Sequence, residues 1–193
     1  VPVNCGPRGL PPGSVELFHN NGDGTFTDVS RQSGVAAASG SYPMTAVAAD
    51  YDNDGWPDIY VACDSTPSWL FRNQHDGTFR EEALQRGAAL SEDGLEQAGM
   101  GVGLGDYDLD GNLDIFVPNY GHNQLYRNNG NGTFTDVAAK VGLAVENHAV
   151  GSDWGDYDND GDLDLSVISY VGAPGQQQPM NALFRNDGAK GFT

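Results

Sequence analysis

The chain has 193 residues, which is enough for one domain or for part of a larger protein. It carries 27 acidic residues against 9 Lys and Arg residues, so the formal net charge is −18. This charge disfavours a nucleic-acid partner or an anionic membrane surface, because both are themselves negative. No apolar run approaches the ~18 residues of a membrane-spanning helix, so we predict no membrane insertion. The sequence starts at Val1 rather than Met, and we expect a fragment of a longer protein.

Residues 1–14 form a lead-in segment before the first recognisable repeat. The two cysteines are Cys5, in this segment, and Cys63. They permit a single disulfide, but Cys5 could pair with a residue upstream, and Cys63 could be a small buried apolar side chain. Neither cysteine lies in a metal-binding CxxC motif, so the pairing stays open.

A Leu-Phe-Arg-Asn-like phrase recurs along the chain, and each copy is followed by a turn phrase such as Asp-Gly-Thr-Phe. The copies begin at Leu17, Leu70, Leu125 and Leu183. Asn, Asp and Gly supply the positive φ values of tight connections, so each copy predicts an antiparallel hairpin. Residues 81–86 and 136–140, which follow two of the hairpins, are predicted to form single helical turns.

A second phrase, D-x-D-x-D-G-x-x-D, occurs at residues 50–58, 106–114 and 156–164. A short β-branched or apolar run follows each copy and predicts a strand, and a segment rich in Gly or Ala precedes it and predicts a closely packed inner strand. Four short strands per repeat of about 54 residues are typical of a β-propeller blade. The predicted fold is all-β, with blades of four antiparallel strands. About three and a half blades are expected, in the approximate units 15–43, 44–98, 99–147 and 148–193.

Each acidic loop gathers four carboxylates within nine residues, which is unfavourable unless a cation binds or the groups protonate. The order of oxygen donors matches the first part of an EF-hand loop, with Gly at position six and a backbone carbonyl at position seven. Solvated turns without metal would explain one such loop but explain three in register poorly. A flexible set of five or more oxygens suits Ca²⁺ better than Mg²⁺. We predict about three Ca²⁺ sites, with the ligands Asp50, Asp52, Asp54, Trp56 and Asp58; Asp106, Asp108, Asp110, Asn112 and Asp114; and Asp156, Asp158, Asp160, Asp162 and Asp164.

These loops, together with the L-[FY]-R-N and N-G-D-G-T-F phrases, resemble the FG-GAP/VCBS repeats of integrin-α-type β-propellers. More narrowly, residues 15–193 resemble bacterial proteins similar to cartilage acidic protein that carry an ASPIC/UnbV domain. The resemblance implies a seven-bladed propeller with calcium in its blade loops, and a secreted or cell-surface protein engaged in adhesion or binding. The sequence departs from the pattern in having one Gly-Ala-Pro, at 172–174, and no ASPIC/UnbV region.

The strong signals concern scaffold and metal, so the sequence predicts a calcium-binding extracellular interaction or adhesion module. Its partner would be a protein or glycan at the cell surface or in the matrix. The alternatives are a carbohydrate-binding propeller, a structural subunit of an extracellular assembly formed by self-association, and a polysaccharide-active enzyme. The chain contains no nucleophile elbow, P-loop or His-containing zinc motif, so no enzyme activity and no catalytic residue are predicted.

Several other side chains carry weaker signals. Three arginines at one repeat position are predicted to pair with carboxylates of the loops or of neighbouring blades; they are Arg72, Arg127 and Arg185. The tryptophans are predicted to pack in the blades rather than to bind sugars; they are Trp56, Trp69 and Trp154. The stretch 170–180 lengthens the third repeat and is expected on the surface, either as a plain insertion or as a partner-binding loop.

Overall fold

The computed structural model describes residues 6–170 and 181–193. The described residues are mostly strands and turns, and the strands are β1 (Phe18–Asn20), β2 (Phe26–Asp28), β3 (Pro43–Ala49), β4 (Asp58–Cys63), β5 (Trp69–Asn73), β6 (Phe79–Glu81), β7 (Gly103–Gly105), β8 (Asp114–Val117), β9 (Gln124–Asn128), β10 (Phe134–Asp136), β11 (Ala149–Gly155), β12 (Asp164–Ser169) and β13 (Ala182–Phe184). The helices within these ranges are single turns: α1 (Ala83–Arg86), α2 (Ala138–Val141) and two 3-10 turns (Val35–Ala37 and Gly188–Lys190).

The strands form successive antiparallel sheets in chain order. We call the sheet β3-β4-β5-β6 blade 1, the sheet β7-β8-β9-β10 blade 2 and the sheet β11-β12-β13 blade 3, and the pair β1-β2 the leading hairpin. The predicted all-β fold with four-stranded antiparallel propeller blades is therefore confirmed. In blade 3 the described residues add one bridge, Asn186 to Phe192, where the other blades have a fourth strand.

Each acidic loop connects the first and second strands of its blade. The last residue of the first strand pairs with the Asp that closes the loop, as in the pairs Ala49 with Asp58 and Gly105 with Asp114. The apolar residues after this Asp then run down the second strand, where β-branched and aromatic side chains fit a buried pleated surface. The three loops consequently occupy the same place in three blades, as the sequence spacing predicts.

The glycine-rich first strand of blade 2 packs closely against blade 3. A Cβ at Gly105 would lie 2.9 Å from the Trp154 ring, and one at Gly103 would lie 2.7 Å from the Ser152 hydroxyl oxygen. Both distances are shorter than side-chain atoms tolerate. The small residues predicted from the sequence are therefore required for blade 3 to approach blade 2.

The hydrophobic core lies between successive sheets. Tyr60 of blade 1 packs with Ile115 and Tyr126 of blade 2, all fully buried. Phe116 and Leu165 form the matching contact between blades 2 and 3. Because each blade buries its apolar face against the next one, the array resembles a stack of repeats rather than one central core.

The connections follow the predicted turn chemistry. In the blade 1 hairpin, the Asp76 carboxylate accepts hydrogen bonds from the backbone N–H and the hydroxyl of Thr78, and Gly77 takes a positive φ of 86°. The predicted helical turns are confirmed as α1 and α2, and each is followed by a left-handed glycine, Gly87 and Gly142. Such glycines end a helix because they adopt positive φ without strain.

Some predictions fall outside the described residues. Cys63 is buried, at 1% exposure, but Cys5 and residues 171–180 are not described, so the disulfide and the surface insertion stay predictions. The boundaries of the four repeat units likewise stay approximate predictions. Within the described ranges, no helix combines the length and the apolar character needed to cross a membrane.

Candidate metal centre

Each acidic loop is folded around the carboxylate at its first position. Asp50 accepts hydrogen bonds from the backbone N–H groups of Asp54 and Gly55, at 3.1 and 2.8 Å. Asp106 and Asp156 make the same two contacts in their loops. The glycine at position six has a positive φ in every loop: 89° at Gly55, 89° at Gly111 and 98° at Gly161.

The Asp at position nine is buried beneath the loop. Asp114 is fully buried and accepts hydrogen bonds from the N–H groups of Asn128, at 2.8 Å, and Tyr107, at 3.1 Å. Burial raises the pKa of Asp114 to about 7, with repulsion from Asp108 contributing. Burial likewise raises the pKa of Asp58 to about 6. Both carboxylates are held where the negative form is costly without a nearby cation.

Carboxylate oxygens converge in all three loops. In each, one oxygen from each of three Asp residues lies within 4.8 Å of the other two. Positions one and three contribute every time, together with position five in the first loop and position nine in the others; the groups are Asp50, Asp52 and Asp54; Asp106, Asp108 and Asp114; and Asp156, Asp158 and Asp164. The remaining predicted ligands, including the carbonyls of Trp56, Asn112 and Asp162, stay predictions.

One carboxylate oxygen in the first loop is independent evidence for a cation site. Oδ1 of Asp52 is buried and has no hydrogen-bond partner among the described residues. A buried carboxylate oxygen without a partner is costly, and a metal ion would satisfy it. Hard carboxylate ligands at this spacing fit a hard divalent ion such as Ca²⁺.

Arginines partly neutralise two of the loops. Arg72 donates to Asp52 at 2.7 Å and to Asp54 at 3.1 Å, and Arg127 donates to Asp108 and Asp110 in the same way. For these two arginines the predicted pairing with loop carboxylates is confirmed.

The same prediction is wrong for the third arginine, Arg185, which pairs with Asp187 in its own hairpin at 2.8 Å. The repeat positions equivalent to Asp187 hold Gln74 and Asn129, which carry no charge. In blade 3 a carboxylate therefore lies two residues from the arginine, and Arg185 pairs with it instead of with the carboxylates of the acidic loop.

The aromatic residues near the loops have structural partners. Trp56, at position seven, is 46% exposed and stacks on His75, whose ring nitrogen lies 2.7 Å from an Asp54 oxygen. Trp69 is buried, and Trp154 packs edge-on against Phe116. The predicted packing role is confirmed for Trp69 and Trp154, whereas Trp56 lies on the surface beside the first acidic loop.

Sequence reasoning missed the role of the asparagine that ends the Leu-Phe-Arg-Asn phrase. The Asn128 side chain donates to the Leu113 carbonyl in its own blade and to the Tyr51 carbonyl in the preceding loop, at 3.2 and 2.7 Å. Asn186 does the same with Leu163 and Tyr107. Each asparagine therefore ties an acidic loop to the next blade, and its recurrence in every copy of the phrase was the available signal.

The tyrosine at position two of the loop has a matching role. Tyr51 packs edge-on against Phe134 of blade 2, and Tyr107 packs against Phe192 of blade 3. In blades 2 and 3, the Phe of the turn phrase thus covers the Tyr of the preceding loop. The acidic loops are parts of the junctions between blades as well as candidate metal sites.

The repeats of this chain match a known family of repeats, and its sequence is similar to curated proteins. The sequence profile of the FG-GAP-like repeat matches residues 9–61, 50–117 and 106–167. Cartilage acidic protein 1 of Xenopus tropicalis is 32% identical over 149 residues, which cover 71% of this chain and 21% of that protein. The human protein of the same name is 31% identical over 116 residues, which cover 58% of this chain and 17% of that protein. The chain thus spans about a fifth of the length of these curated relatives.

Among solved structures, a lectin from Agrocybe aegerita that recognises non-reducing terminal N-acetylglucosamine aligns with a TM-score of 0.49 and 19% identity. The alignment covers 95% of this chain and 46% of the lectin. The family assignment rests on the repeat matches, which together extend over most of the chain and place each acidic loop within a repeat. This chain therefore belongs to the FG-GAP-like repeat family.

Proposed function

We propose that the chain is a calcium-stabilised β-propeller module that acts outside the cell as a non-enzymatic interaction or adhesion scaffold. The observation that carries the proposal is the convergence of three carboxylate oxygens within 4.8 Å in each of three equivalent loops. The buried Asp52 oxygen without a hydrogen-bond partner and the formal charge of −18 support the same conclusion, because a bound cation would stabilise both.

Calcium is proposed over magnesium because the loops offer several flexible oxygen donors rather than a compact octahedral cage. When bound, the ion would offset the repulsion among its carboxylate ligands and hold the turn between the first two strands of each blade. The candidate ligands are the carboxylates of the three oxygen groups, and the other predicted donors would complete each site. The ion therefore has a stabilising role in this proposal.

Two arguments favour an extracellular location: the calcium concentration that such sites need, and the names of the similar proteins. Calcium sites of extracellular modules are often weak, with dissociation constants of about 10⁻⁴–10⁻³ M, and fill only where calcium is abundant. The curated relatives bear the name cartilage acidic protein, which fits an acidic protein that acts outside the cell. The proposed ligand of the module is a protein or glycan of that environment, or a second copy of the chain.

A calcium titration of the metal-stripped chain tests the proposal. We expect about three binding events by calorimetry and a rise in the melting temperature. If calcium is at a hundredfold excess over the dissociation constant, the stabilisation is about 2.7 kcal/mol per site. Magnesium at the same concentration should stabilise less. Unchanged melting after verified metal removal would contradict the proposal.

The variant Asp158→Asn gives the sharpest single-site test, because Asp158 makes no ion pair with the described residues. It should remove one binding event and leave the metal-free protein at least as stable, since one source of repulsion is lost. The matched control is Asp76→Asn in a hairpin turn, where the equivalent position of blade 2 already holds Asn131. This control should keep all binding events.

A further inference from the structure

The two junctions between successive blades differ at one position. At the junction of blades 1 and 2, Arg86 extends from the end of α1 toward blade 2. Its guanidinium donates to the Gly132 carbonyl at 2.5 Å and to Glu82 at 2.8 Å, and it lies 3.9 Å from Asp52. The Arg86 side chain is only 19% exposed, so it occupies the space between these two blades.

At the junction of blades 2 and 3 the equivalent residue is Val141, which is too short to reach across. The residue equivalent to Gly132 is Lys190. A cavity of about 570 Å³ remains here, between α2, the hairpin of blade 2 and the Gly188–Lys190 turn. We call this cavity the junction groove. Its volume is in the range of small-molecule binding sites, which are about 300–1,000 Å³.

The walls of the junction groove are polar and unusually cationic for this chain. Lys140 and Lys190, the only lysines in the sequence, both line it. Both are exposed, and within the described ranges neither forms an ion pair. Arg127 and Asp108 also line the groove, but Arg127 is ion-paired with both Asp108 and Asp110, so Asp162 is the acidic wall residue that has no ion pair within the described ranges. The two lysines thus face one unpaired wall carboxylate, that of Asp162, in a chain whose net charge is −18.

The groove also offers an aromatic surface and neutral hydrogen-bonding groups. Tyr107 is half-buried in the wall, and its hydroxyl makes no hydrogen bond to the described residues. Asn129 and Thr135 lie along the same wall. A ligand with hydroxyl groups, a ring face and a negative charge would use all of these features, whereas an apolar ligand would leave the polar groups unpaired.

We propose that the junction groove binds an anionic saccharide, with its carboxylate or sulfate at Lys140 and Lys190 and its ring against Tyr107. The inference rests on the proposed function of the chain as an extracellular interaction module and assigns a ligand class to it. Charge-assisted hydrogen bonds from the two ammonium groups supply the preference for an acidic sugar.

Calorimetry on the full chain at saturating calcium tests the inference. The probes are a heparin-derived tetrasaccharide, which carries sulfate, trigalacturonic acid, which carries carboxylate only, and neutral maltotriose, with equal calcium in cell and syringe. We expect at least one acidic probe to bind and maltotriose to bind at least tenfold more weakly. Comparing the two acidic probes tells which acid the groove prefers. Binding of neither acidic probe, or equal binding of all three, would overturn the inference.

Variants distinguish binding in the junction groove from general attraction to positive charge on the surface. Lys140→Ala and Lys190→Ala should each weaken binding by about tenfold, the effect of one charge-assisted hydrogen bond. Val141→Arg adds a positive charge but fills the groove as Arg86 fills the other junction, so it should abolish binding. Tighter binding by Val141→Arg would show attraction to the surface alone and would overturn the inference. Arg31→Ala, which removes an exposed charge elsewhere, should have no effect.

Melting in calcium reports whether each variant folds. If Val141→Arg does not fold, the double variant Lys140→Ala/Lys190→Ala decides, and an unchanged affinity there would overturn the inference. The two proposals fail separately. A chain that gains stability from calcium but binds no acidic saccharide refutes only the groove, whereas a chain without a calcium response refutes the proposed function.

Discussion

The third acidic loop differs from the first two, although the nine-residue phrases are nearly the same. In the first loop Arg72 pairs with two carboxylates and Tyr51 is 2% exposed beneath blade 2. In the third loop Arg185 is engaged by Asp187, and Tyr157 is 51% exposed. The second loop resembles the first in having an arginine on its carboxylates and a tyrosine covered by the next blade.

This difference shows that an acidic loop takes much of its environment from outside its own sequence. The arginine comes from the third strand of the same blade, and the cover comes from the hairpin of the next blade. Without the arginine, charge in the third loop is less offset: the pKa of Asp158 is raised by desolvation and by the neighbouring carboxylates Asp160 and Asp164. The third loop should therefore depend most on calcium.

The largest expected effect concerns the packing of the loop tyrosine beneath the next blade. Tyr51→Ala removes a buried aromatic ring that packs on Phe134, and we expect a loss of about 3–5 kcal/mol in the free energy of unfolding. Tyr157→Ala, at the equivalent exposed position, should change it by less than about 0.5 kcal/mol. Urea denaturation in calcium measures both.

A conservative variant checks that packing causes the effect. The Tyr51 hydroxyl is buried without a hydrogen-bond partner among the described residues, so Tyr51→Phe should be neutral or slightly stabilising. Equal losses for Tyr51→Ala and Tyr157→Ala would mean that the cover of the first loop does not distinguish it from the third.

The next effect concerns the arginines. Arg72→Gln leaves Asp52 and Asp54, both largely buried, without their cation, and should destabilise the metal-free chain by about 1–3 kcal/mol. It should also strengthen calcium binding, because the site becomes more negative. Arg185→Gln should change neither quantity appreciably, since Arg185 contacts the hairpin and is about half exposed.

Denaturation in EDTA and calcium titration by calorimetry measure the two quantities. If Arg185→Gln shifted calcium affinity as much as Arg72→Gln, the pairing with Asp187 would not explain the difference between the loops.

Local patterns in the sequence were sufficient to predict the blades. The runs after Asp58, Asp114 and Asp164 are short, apolar and bounded by turns, so period and composition specify strands. The carboxylates of the loops were predicted because their spacing is itself a ligand pattern.

The rest depends on contacts between segments far apart in the chain. The Asn128 bond to the Tyr51 carbonyl joins residues in different repeats, and no local pattern encodes it. The diversion of Arg185 to Asp187 results from one substitution in a turn. The junction groove likewise results from Val141 in place of an arginine, and its effect is visible only once two blades are packed.

The smallest expected effect is a pH dependence of stability. It should differ between the metal-free and the calcium-bound forms of the first two loops. Burial raises the pKa of Asp114 to about 7 and that of Asp58 to about 6, whereas an unfolded Asp titrates near 3.9. Between those values the folded metal-free chain holds protons that the unfolded chain has released. Its stability should therefore fall as pH rises, by about 1 kcal/mol between pH 6 and pH 7.

Urea denaturation in EDTA at these two pH values measures the fall. Asp114→Asn should reduce it, because the variant has no carboxylate to deprotonate at that position, and the comparison is of slopes rather than of absolute stabilities. In calcium the trend should reverse, since the ion binds the deprotonated carboxylates and its affinity increases with pH. A slope in EDTA that is the same with and without Asp114 would show that its burial does not control the pH response, and the cost of the metal-free loops would then have to lie in repulsion among their exposed carboxylates.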